Sequence, residues 1–383
     1  MDNKRVACLD GLRGWASLVV VFSHLLQGIL ARPPGSSFAT VLSSDLVYSS
    51  PLYLLMDGVS AVVLFFLISG FSLCIPSFQG RSAADVWKMA VFRPLRLYVP
   101  VVIAAMFAYV ILAAGLMQNE PLALSTDNSW LANVYRVDPS IGNLLRTFMK
   151  LKFKEYNPVF WSMRPELICS LYIFAFLLLA KYTGTRIILH VLAIGISVRA
   201  GAFYPAFALG AALADLFVTF ENARQSSTRT ARHAFETAAL VLFAVNYCWW
   251  VARPPYQTAP SSVRILPMFL LVVATLSGGW IGKFMSNRLS LVLGRLSFPL
   301  YLLHLPIICS LSSFLTLQLL ARNWSPDAIL ALVTAVTLGA SLGAAWLFAI
   351  FVEEWLLVVL RKRVNRFCSR FIGANEGNSP RRA

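Results

Sequence analysis

Charged residues are scarce in this sequence. Only 13% of the 383 residues are charged, whereas 58% are apolar, and the mean hydropathy is +0.69. A soluble globule of this length would lack the polar surface that it needs, so the composition excludes an ordinary soluble domain and favours a membrane-integral protein. No long hydrophilic block interrupts the apolar runs, which predicts a single membrane domain.

The six cysteines lack the spacing of a metal site or a disulfide framework. None forms a Cys-x-x-Cys pair, and most lie in or beside apolar runs, where cysteine behaves as a small hydrophobic residue. We therefore expect neither a metal ion nor a bound cofactor. The net charge of +16 comes from basic residues in short loops and a tail rather than on one face of a module, which argues against nucleic acid as a partner.

Apolar runs long enough to cross a bilayer recur along the whole chain. A spanning helix needs roughly 20 mostly apolar residues. The sequence therefore predicts an all-α bundle of about ten transmembrane helices, a multi-pass integral protein of the plasma membrane or an endomembrane. The predicted spans cover residues 15–31, 52–76, 95–117, 161–180, 186–199, 202–220, 235–252, 264–281, 295–320 and 327–358.

The distribution of basic residues indicates the orientation in the membrane, because short cytoplasmic loops carry excess Lys and Arg. With ten spans and the N-terminus inside, 22 of the 33 Lys and Arg residues fall on the inner side, so both termini are predicted to be cytosolic. Residues 118–160 are a basic exception on the outer side. Within them, basic and apolar residues are interleaved over 144–154 at a spacing that predicts a helix in the membrane interface. Residues 1–360 form the predicted membrane domain, and 361–383 are expected to be a basic, disordered tail near anionic lipid.

Ionisable side chains are rare inside the apolar runs. Because each costs about 2.5–3.5 kcal/mol at the centre of a span, each is a candidate for function. His24 follows Arg13 by eleven residues, which at about 100° per residue returns to nearly the same helical face, roughly 16 Å further along. Arginine suits phosphate recognition and imidazole suits proton transfer near neutral pH. A charged anchor and a packing histidine would explain the spacing equally well.

Five stretches of the sequence resemble, in order, the motifs of acyltransferase family 3, the integral-membrane O-acyltransferases. They are LDGLRG at 9–14 with a histidine downstream, DGVSAVVLFFLISGF at 57–71, FRPLRLYVP at 92–100, NPVFWSMRPE at 157–166 and LGRLSFPLYLLHLP at 293–306. One such string alone would be weak, but five in family order are specific. The ten-helix core usual in the family agrees with the count of spans. The CSLYIFAF stretch after residue 166 departs from the commoner pattern, which favours a eukaryotic, fungal-type member and leaves the acceptor pocket open.

The resemblance implies roles for the ionisable residues of these motifs. His24 would be the catalytic base or acyl carrier, and Glu166 would orient its imidazole or bind the acceptor. Arg13, Arg93 and Arg96 would bind the phosphates of coenzyme A. The alternatives are a carboxylate favoured by a helix N-terminus for Glu166 and ordinary positive-inside charge for the two later arginines.

Five further residues of the same motifs are expected to support the site. They are Asp10, Ser69, Trp161, Tyr301 and His304. Ser69 precedes a glycine, and small residues of this kind also let helices pack closely. His304 is either a second acid/base group or a residue bonded to a neighbouring carbonyl.

The predicted function is membrane-bound O-acyl transfer from acyl-CoA to a hydroxyl of a glycan, a lipid or a secondary metabolite, with acetyl as the default group. The expected partners are acyl-CoA as donor substrate, the hydroxyl-bearing acceptor and membrane lipid. The alternative is a multi-span secondary transporter, which would also use a mid-membrane histidine and an acidic residue. Transporters often show internal repeats, and this sequence shows none. A binding or scaffold protein that keeps the fold without activity is a third hypothesis.

Overall fold

Helices follow the apolar runs throughout the computed structural model. Within the residues that it describes, the chain forms helices and turns and no strand, which confirms the predicted all-α membrane architecture. The described residues are 4–30, 47, 49–150, 153–183, 185–201, 203–221, 226–253, 260–364 and 366.

The α-helices are numbered in chain order. They are α1 Lys4–Leu25, α2 Gly58–Phe78, α3 Ala83–Ala113, α4 Asn119–Thr126, α5 Ser129–Ala132, α6 Ile141–Lys150, α7 Met163–Thr183, α8 Arg186–Ala200, α9 Tyr204–Thr219, α10 Arg229–Val251, α11 Ile265–Leu276, α12 Trp280–Met285, α13 Arg288–Ile307, α14 Ser313–Ala321 and α15 Pro326–Phe348. Short 3-10 turns occur at Pro51–Leu55, Phe153–Glu155, Pro158–Ser162 and Ser261–Arg264. The π-helical segments are Leu26–Leu30 after α1, Ile308–Ser312 after α13 and Ala349–Leu356 after α15.

Each predicted span coincides with a described helix. Among the residues that the structure describes, seven helical stretches are long and apolar enough to cross a membrane. They are Ala7–Ile29, Gly58–Phe78, Ala83–Ala113, Pro158–Lys181, Arg229–Val251, Arg288–Ala321 and Pro326–Val364. The shorter helices α8, α9 and α11 occupy the three remaining predicted spans. The largest differences are at two starts, since α1 begins at Lys4 rather than residue 15 and α3 begins at Ala83 rather than residue 95. Helix α1 therefore carries Arg13 as well as His24.

The last helix passes the predicted domain boundary at residue 360. Described helical residues continue to Val364, because residues 349–364 contain neither glycine nor proline to end the helix. The first residues of the predicted tail are therefore helical. Residues 367–383, which make up most of that tail, lie outside the described residues.

Helix α6 is the helix predicted to lie in the membrane interface. Leu144 and Thr147 are buried, whereas Ile141, Leu145 and Met149 are exposed. The exposed apolar side chains recur every four residues and therefore share one face of the helix. This face suits the boundary between headgroups and acyl chains, and the interfacial placement stays a prediction.

Two glycine contacts bring helices together backbone to backbone. Gly14 of α1 faces Gly294 of α13, and a Cβ on either residue would collide with the backbone of the other helix. Gly70 of α2 and Gly210 of α9 make the same kind of contact. Small residues at these positions allow the close approach that is typical of packed membrane helices.

Candidate functional site

His24 and His304 form a hydrogen-bonded pair where α1 and α13 meet. Nε2 of His304 lies 3.0 Å from Nδ1 of His24. Each histidine lies ten residues beyond one of the facing glycines, Gly14 and Gly294, on helices that run parallel. Ten residues of α-helix span about 15 Å. Close parallel packing at the glycines therefore brings the two imidazoles to the same height.

The hydrogen-bond pattern assigns the tautomer of both rings. Nδ1 of His304 lies 3.0 Å from the carbonyl oxygen of Leu300. A carbonyl only accepts, so this Nδ1 carries the proton and Nε2 of His304 is an acceptor. Nδ1 of His24 then faces two acceptors, His304 Nε2 and the carbonyl of Val20 at 3.0 Å, and must carry the proton itself. Nε2 of His24 is therefore unprotonated, with a lone pair that can take a proton or attack a carbonyl.

His304 was expected to be either a second acid/base group or a residue bonded to a neighbouring carbonyl. The two alternatives are compatible, because the ring has two nitrogens. Nδ1 bonds a neighbouring carbonyl, and Nε2 contacts the candidate catalytic histidine. The ring is fully buried.

His24 opens to an outer cavity of about 550 Å³. The cavity lies on the side that the charge pattern assigns to the outside, since Trp130 and Asn133 of the 118–160 loop line it together with Trp161. Trp130 stacks on the His24 ring, with centroids 5.8 Å apart and planes inclined by 27°. None of the described residues that line the outer cavity is Lys, Arg, Asp or Glu.

An inner cavity of about 900 Å³ opens among the basic residues of the opposite side. Its ionisable lining consists of the cations Arg13, Arg81, Lys88, Arg93, Arg96 and Arg361 and the carboxylates Asp85, Glu166 and Glu353. Because cations outnumber carboxylates, the potential inside favours an anionic ligand. Ser69 lines the same cavity, whereas its neighbour Gly70 makes the glycine contact with α9.

Two of the predicted donor-binding arginines are placed for contact with a ligand. Arg13 lines the inner cavity and lies 3.8 Å from a carboxylate oxygen of Asp10, which is exposed. Arg96 lines the same cavity and is also exposed. Both guanidinium groups are therefore accessible from the inner side.

Arg93 is paired inside the bundle. Its Nη2 lies 2.5 Å from Oε1 of Glu166, and its Nε donates to Oγ of Ser170 at 2.9 Å. The two charged side chains are only 14% and 11% exposed, so each neutralises a charge that would be costly alone. Glu166 thus lies with Arg93 in the inner cavity, and His304 rather than Glu166 bonds the His24 ring.

Three hydrogen-bonded residues connect the linings of the two cavities. They are Val159, Ser162 and Tyr301, and we call them the partition. The Tyr301 hydroxyl donates to the carbonyl of Val159 at 2.6 Å and accepts from the Ser162 hydroxyl at 2.7 Å. Ser162 and Tyr301 line the inner cavity, whereas Val159 lines the outer one. Arg13 and His24 therefore share a helix but face different cavities.

A family model described as an acyltransferase domain matches residues 6–349. The chain belongs to acyltransferase family 3. The matched range contains all five motifs and both histidines, and this membership favours an enzyme over the transporter hypothesis. Comparisons with curated proteins and with solved structures found no match. Within the part of the chain that the structure describes, no group of three or more His, Cys, Asp and Glu side chains is suited to hold a metal ion.

Asn157 fixes the partition of this acyltransferase against α13, a role that the sequence analysis missed. Pro306 has no N–H, so the carbonyl of Leu302, four residues earlier, lacks its usual helical donor. Nδ2 of Asn157 donates to that carbonyl at 2.8 Å, while its Oδ1 accepts from the backbone N–H of Val159 at 3.3 Å. Asn157 is fully buried. A proline two residues after His304 was the signal that an outside donor is needed.

Proposed function

We propose that this acyltransferase moves an acyl group, acetyl in the simplest case, from acyl-CoA in the inner cavity to a hydroxyl in the outer cavity. The observation that carries the proposal is the unprotonated Nε2 of His24 beside one cavity, with an arginine-lined cavity behind the partition. The acceptor would be a glycan, a lipid or a secondary metabolite.

The inner cavity suits the phosphate end of coenzyme A. This donor carries a diphosphate and a ribose phosphate, and guanidinium groups bind such oxygens through paired, charge-assisted hydrogen bonds. Arg13 and Arg96 are accessible for that contact. A volume of about 900 Å³ lies within the range of small-molecule sites. The flexible arm of the donor would then extend past Ser162 and Tyr301 toward the histidines.

The chemistry needs one base and returns it unchanged. Nε2 of His24 takes the proton from the acceptor hydroxyl while the hydroxyl oxygen attacks the thioester carbonyl. The tetrahedral intermediate expels the CoA thiolate, which takes the proton back from the imidazolium, so that an ester and free CoA leave. Nε2 of His304 accepts the hydrogen bond from Nδ1–H of His24. This bond holds the His24 tautomer and stabilises its ring when it becomes positively charged. The same nitrogen also suits a covalent route, in which it attacks the thioester first and forms an acyl-imidazole.

The experiment is acyl transfer by the purified full-length protein in lipid nanodiscs. Acetyl-CoA is supplied with octyl glucoside, a diacylglycerol or a phenolic alcohol, and released CoA and the new ester are measured. We expect acceptor-dependent release of CoA. His24→Gln should lower the rate by about 10²–10⁴-fold, the usual contribution of a general base, without loss of folding.

The matched control is His233→Gln, since His233 lines neither cavity. It should retain the wild-type rate. Absence of CoA release with every acceptor, or an unchanged rate for a folded His24→Gln variant, would contradict the proposal. A burst of CoA without acceptor would select the covalent route.

A further inference from the structure

The backbone changes to a π-helix two residues after His24 and four residues after His304. α1 continues as the π-helical segment Leu26–Leu30, and α13 continues as Ile308–Ser312. Such segments are rare and often occur at functional sites, because they redirect backbone carbonyls. The outer loop contacts carbonyls of both segments.

Asn128 of the outer loop binds the first of these segments. Its Nδ2 donates to the carbonyls of Gln27 and Gly28, each at 2.9 Å. Its Oδ1 accepts from the backbone N–H of Leu131 at 3.1 Å and so caps α5. The side chain is 1% exposed, and it uses both amide hydrogens and the amide oxygen in these three bonds.

The same helix carries the tryptophan that covers His24. Trp130 lies two residues after Asn128 and stacks on the imidazole. A Cβ on Gly28 would lie 3.3 Å from the indole atom Cζ3 of Trp130, so glycine leaves room for this ring. One asparagine therefore fixes both the backbone behind His24 and the aromatic face in front of it.

The second π-helical segment is held by the start of the same loop. The backbone N–H of Gln118 donates to the carbonyl of Cys309 at 2.8 Å. The neighbouring Asn119 donates to the carbonyls of Leu131 and Val134, at 3.1 and 3.0 Å, and so joins the two attachments. The loop is thus hydrogen-bonded to the π-helical segment that follows each histidine.

We propose that Asn128 is a positioning residue for His24 and that Trp130 stabilises the imidazolium formed during acyl transfer. The proposal rests on the proposed function. An indole face attracts a cation, so stacking favours the protonated ring over the neutral one. Asn128 acts through the π-helical segment and through Trp130, and it does not line the inner cavity in which the donor is proposed to bind.

Steady-state kinetics with acetyl-CoA in nanodiscs test the proposal. Asn128→Ala should lower kcat about 10–100-fold, as a misplacement of about 1 Å does, with KM for acetyl-CoA within about twofold of wild type. Trp130→Ala should lower kcat about 10-fold, and Trp130→Phe should recover most of that loss because a ring is kept.

Matched controls come from the same outer region. Asn143→Ala removes an asparagine of α6 whose side chain bonds only locally, to Asp138 and Arg146 among the described residues. Trp324→Ala removes a tryptophan that is 47% exposed. Both variants should keep the wild-type kcat.

A spectroscopic readout separates this proposal from the proposed function. The chain has four histidines, so nitrogen-15 labelling of histidine gives a spectrum with few signals. Asn128→Ala should change the His24 ring signals, and Trp130→Ala should remove the ring-current shift of the indole. His190 and His233 serve as internal references.

Changed His24 signals together with a kcat loss at constant KM support the proposal. If Asn128→Ala changes the His24 signals but the wild-type protein transfers no acyl group, the positioning of His24 stands and the proposed function fails. Unchanged signals, or wild-type kcat in folded Asn128→Ala, would overturn the proposal. If Asn128→Ala does not fold, the Trp130→Ala and Trp130→Phe pair decides.

Discussion

Replacing Gly14 by alanine should separate α1 from α13 and break the histidine pair. The new Cβ would lie 2.7 Å from Cβ of Leu293, whereas carbon atoms pack about 3.5–4.0 Å apart. Its other nearest neighbours are backbone atoms of Leu293 and Gly294, which cannot rotate aside. The helices would therefore move apart by about 1 Å at this point.

That displacement acts on a bond with little tolerance. His24 and His304 lie ten residues further along the same two helices, so a rigid shift would lengthen their 3.0 Å contact to about 4 Å, beyond hydrogen-bonding range. A misplacement of this size costs up to about 100-fold in rate. We expect kcat for CoA release to fall about 10–100-fold in Gly14→Ala.

Initial rates of CoA release and nitrogen-15 histidine spectra provide the assay, with Gly339→Ala as the control. A Cβ at Gly339 of α15 meets nothing within 4 Å, so the same chemical change causes no collision there. Because alanine is favoured over glycine in helices by about 1 kcal/mol, this control should melt at the wild-type temperature or above it. Gly14→Ala should melt below it.

Equal rates, melting temperatures and histidine spectra for the two glycine variants would refute the reasoning. The contact at Gly14 would then have no part in aligning the histidines.

Three further predictions concern stability and donor binding. Asn157→Ala should lower the free energy of unfolding by about 2–4 kcal/mol, measured by denaturant unfolding, because it removes a helix cap and leaves a buried carbonyl without its donor. Glu166→Gln should lower the free energy of unfolding by about 3–5 kcal/mol, because it leaves the Arg93 charge without its carboxylate. Adding Arg93→Gln should recover part of that loss in a double-mutant cycle. Arg361→Ala should raise KM for acetyl-CoA about 5–10-fold with kcat unchanged, because this side chain lines the inner cavity, away from the histidines.

Each of these predictions has a control within the chain. Asn143→Ala removes an asparagine outside the partition and should leave unfolding unchanged. Arg363→Ala removes an exposed arginine from the same helix and should leave KM unchanged. An additive Glu166 and Arg93 cycle would show that the two side chains do not stabilise each other, and a kcat loss in Arg361→Ala would show that its effect reaches the histidines.

Helix positions were predictable because a bilayer imposes a simple rule. A spanning segment must pair its own backbone N–H and C=O groups and present apolar side chains to lipid, so hydropathy locates it. The histidine pair was also within reach of the sequence. Gly14 and Gly294 each precede a histidine by ten residues, and two such glycines in parallel helices predict facing imidazoles. The prediction treated His24 and His304 separately and made no use of these equal spacings.

Other parts of the site depend on contacts that spacing does not encode. The position of Glu166 depends on how the segment before α7 enters the bundle. Asn157 holds that segment by donating to the carbonyl of Leu302, which has no helical donor because of Pro306. Asn128 and Trp130 belong to α5 and its cap, and a helix of four residues is too short to show a helical period in the sequence, so no pattern marked them. Arg361 falls in residues predicted to be disordered, because the helix end was placed too early.

The partition of Val159, Ser162 and Tyr301 has an electrical consequence. If water fills the cavity on each side, most of the membrane potential falls across these few side chains rather than across the full bilayer thickness. Under the proposed function, the thioester arm that passes between them would be uncharged at its reactive end and would cross without carrying charge through that field. Ions and protons, which the field would drive, meet hydroxyl groups already bonded to one another. Under the proposed function, insulation and acyl passage would therefore depend on the same three residues.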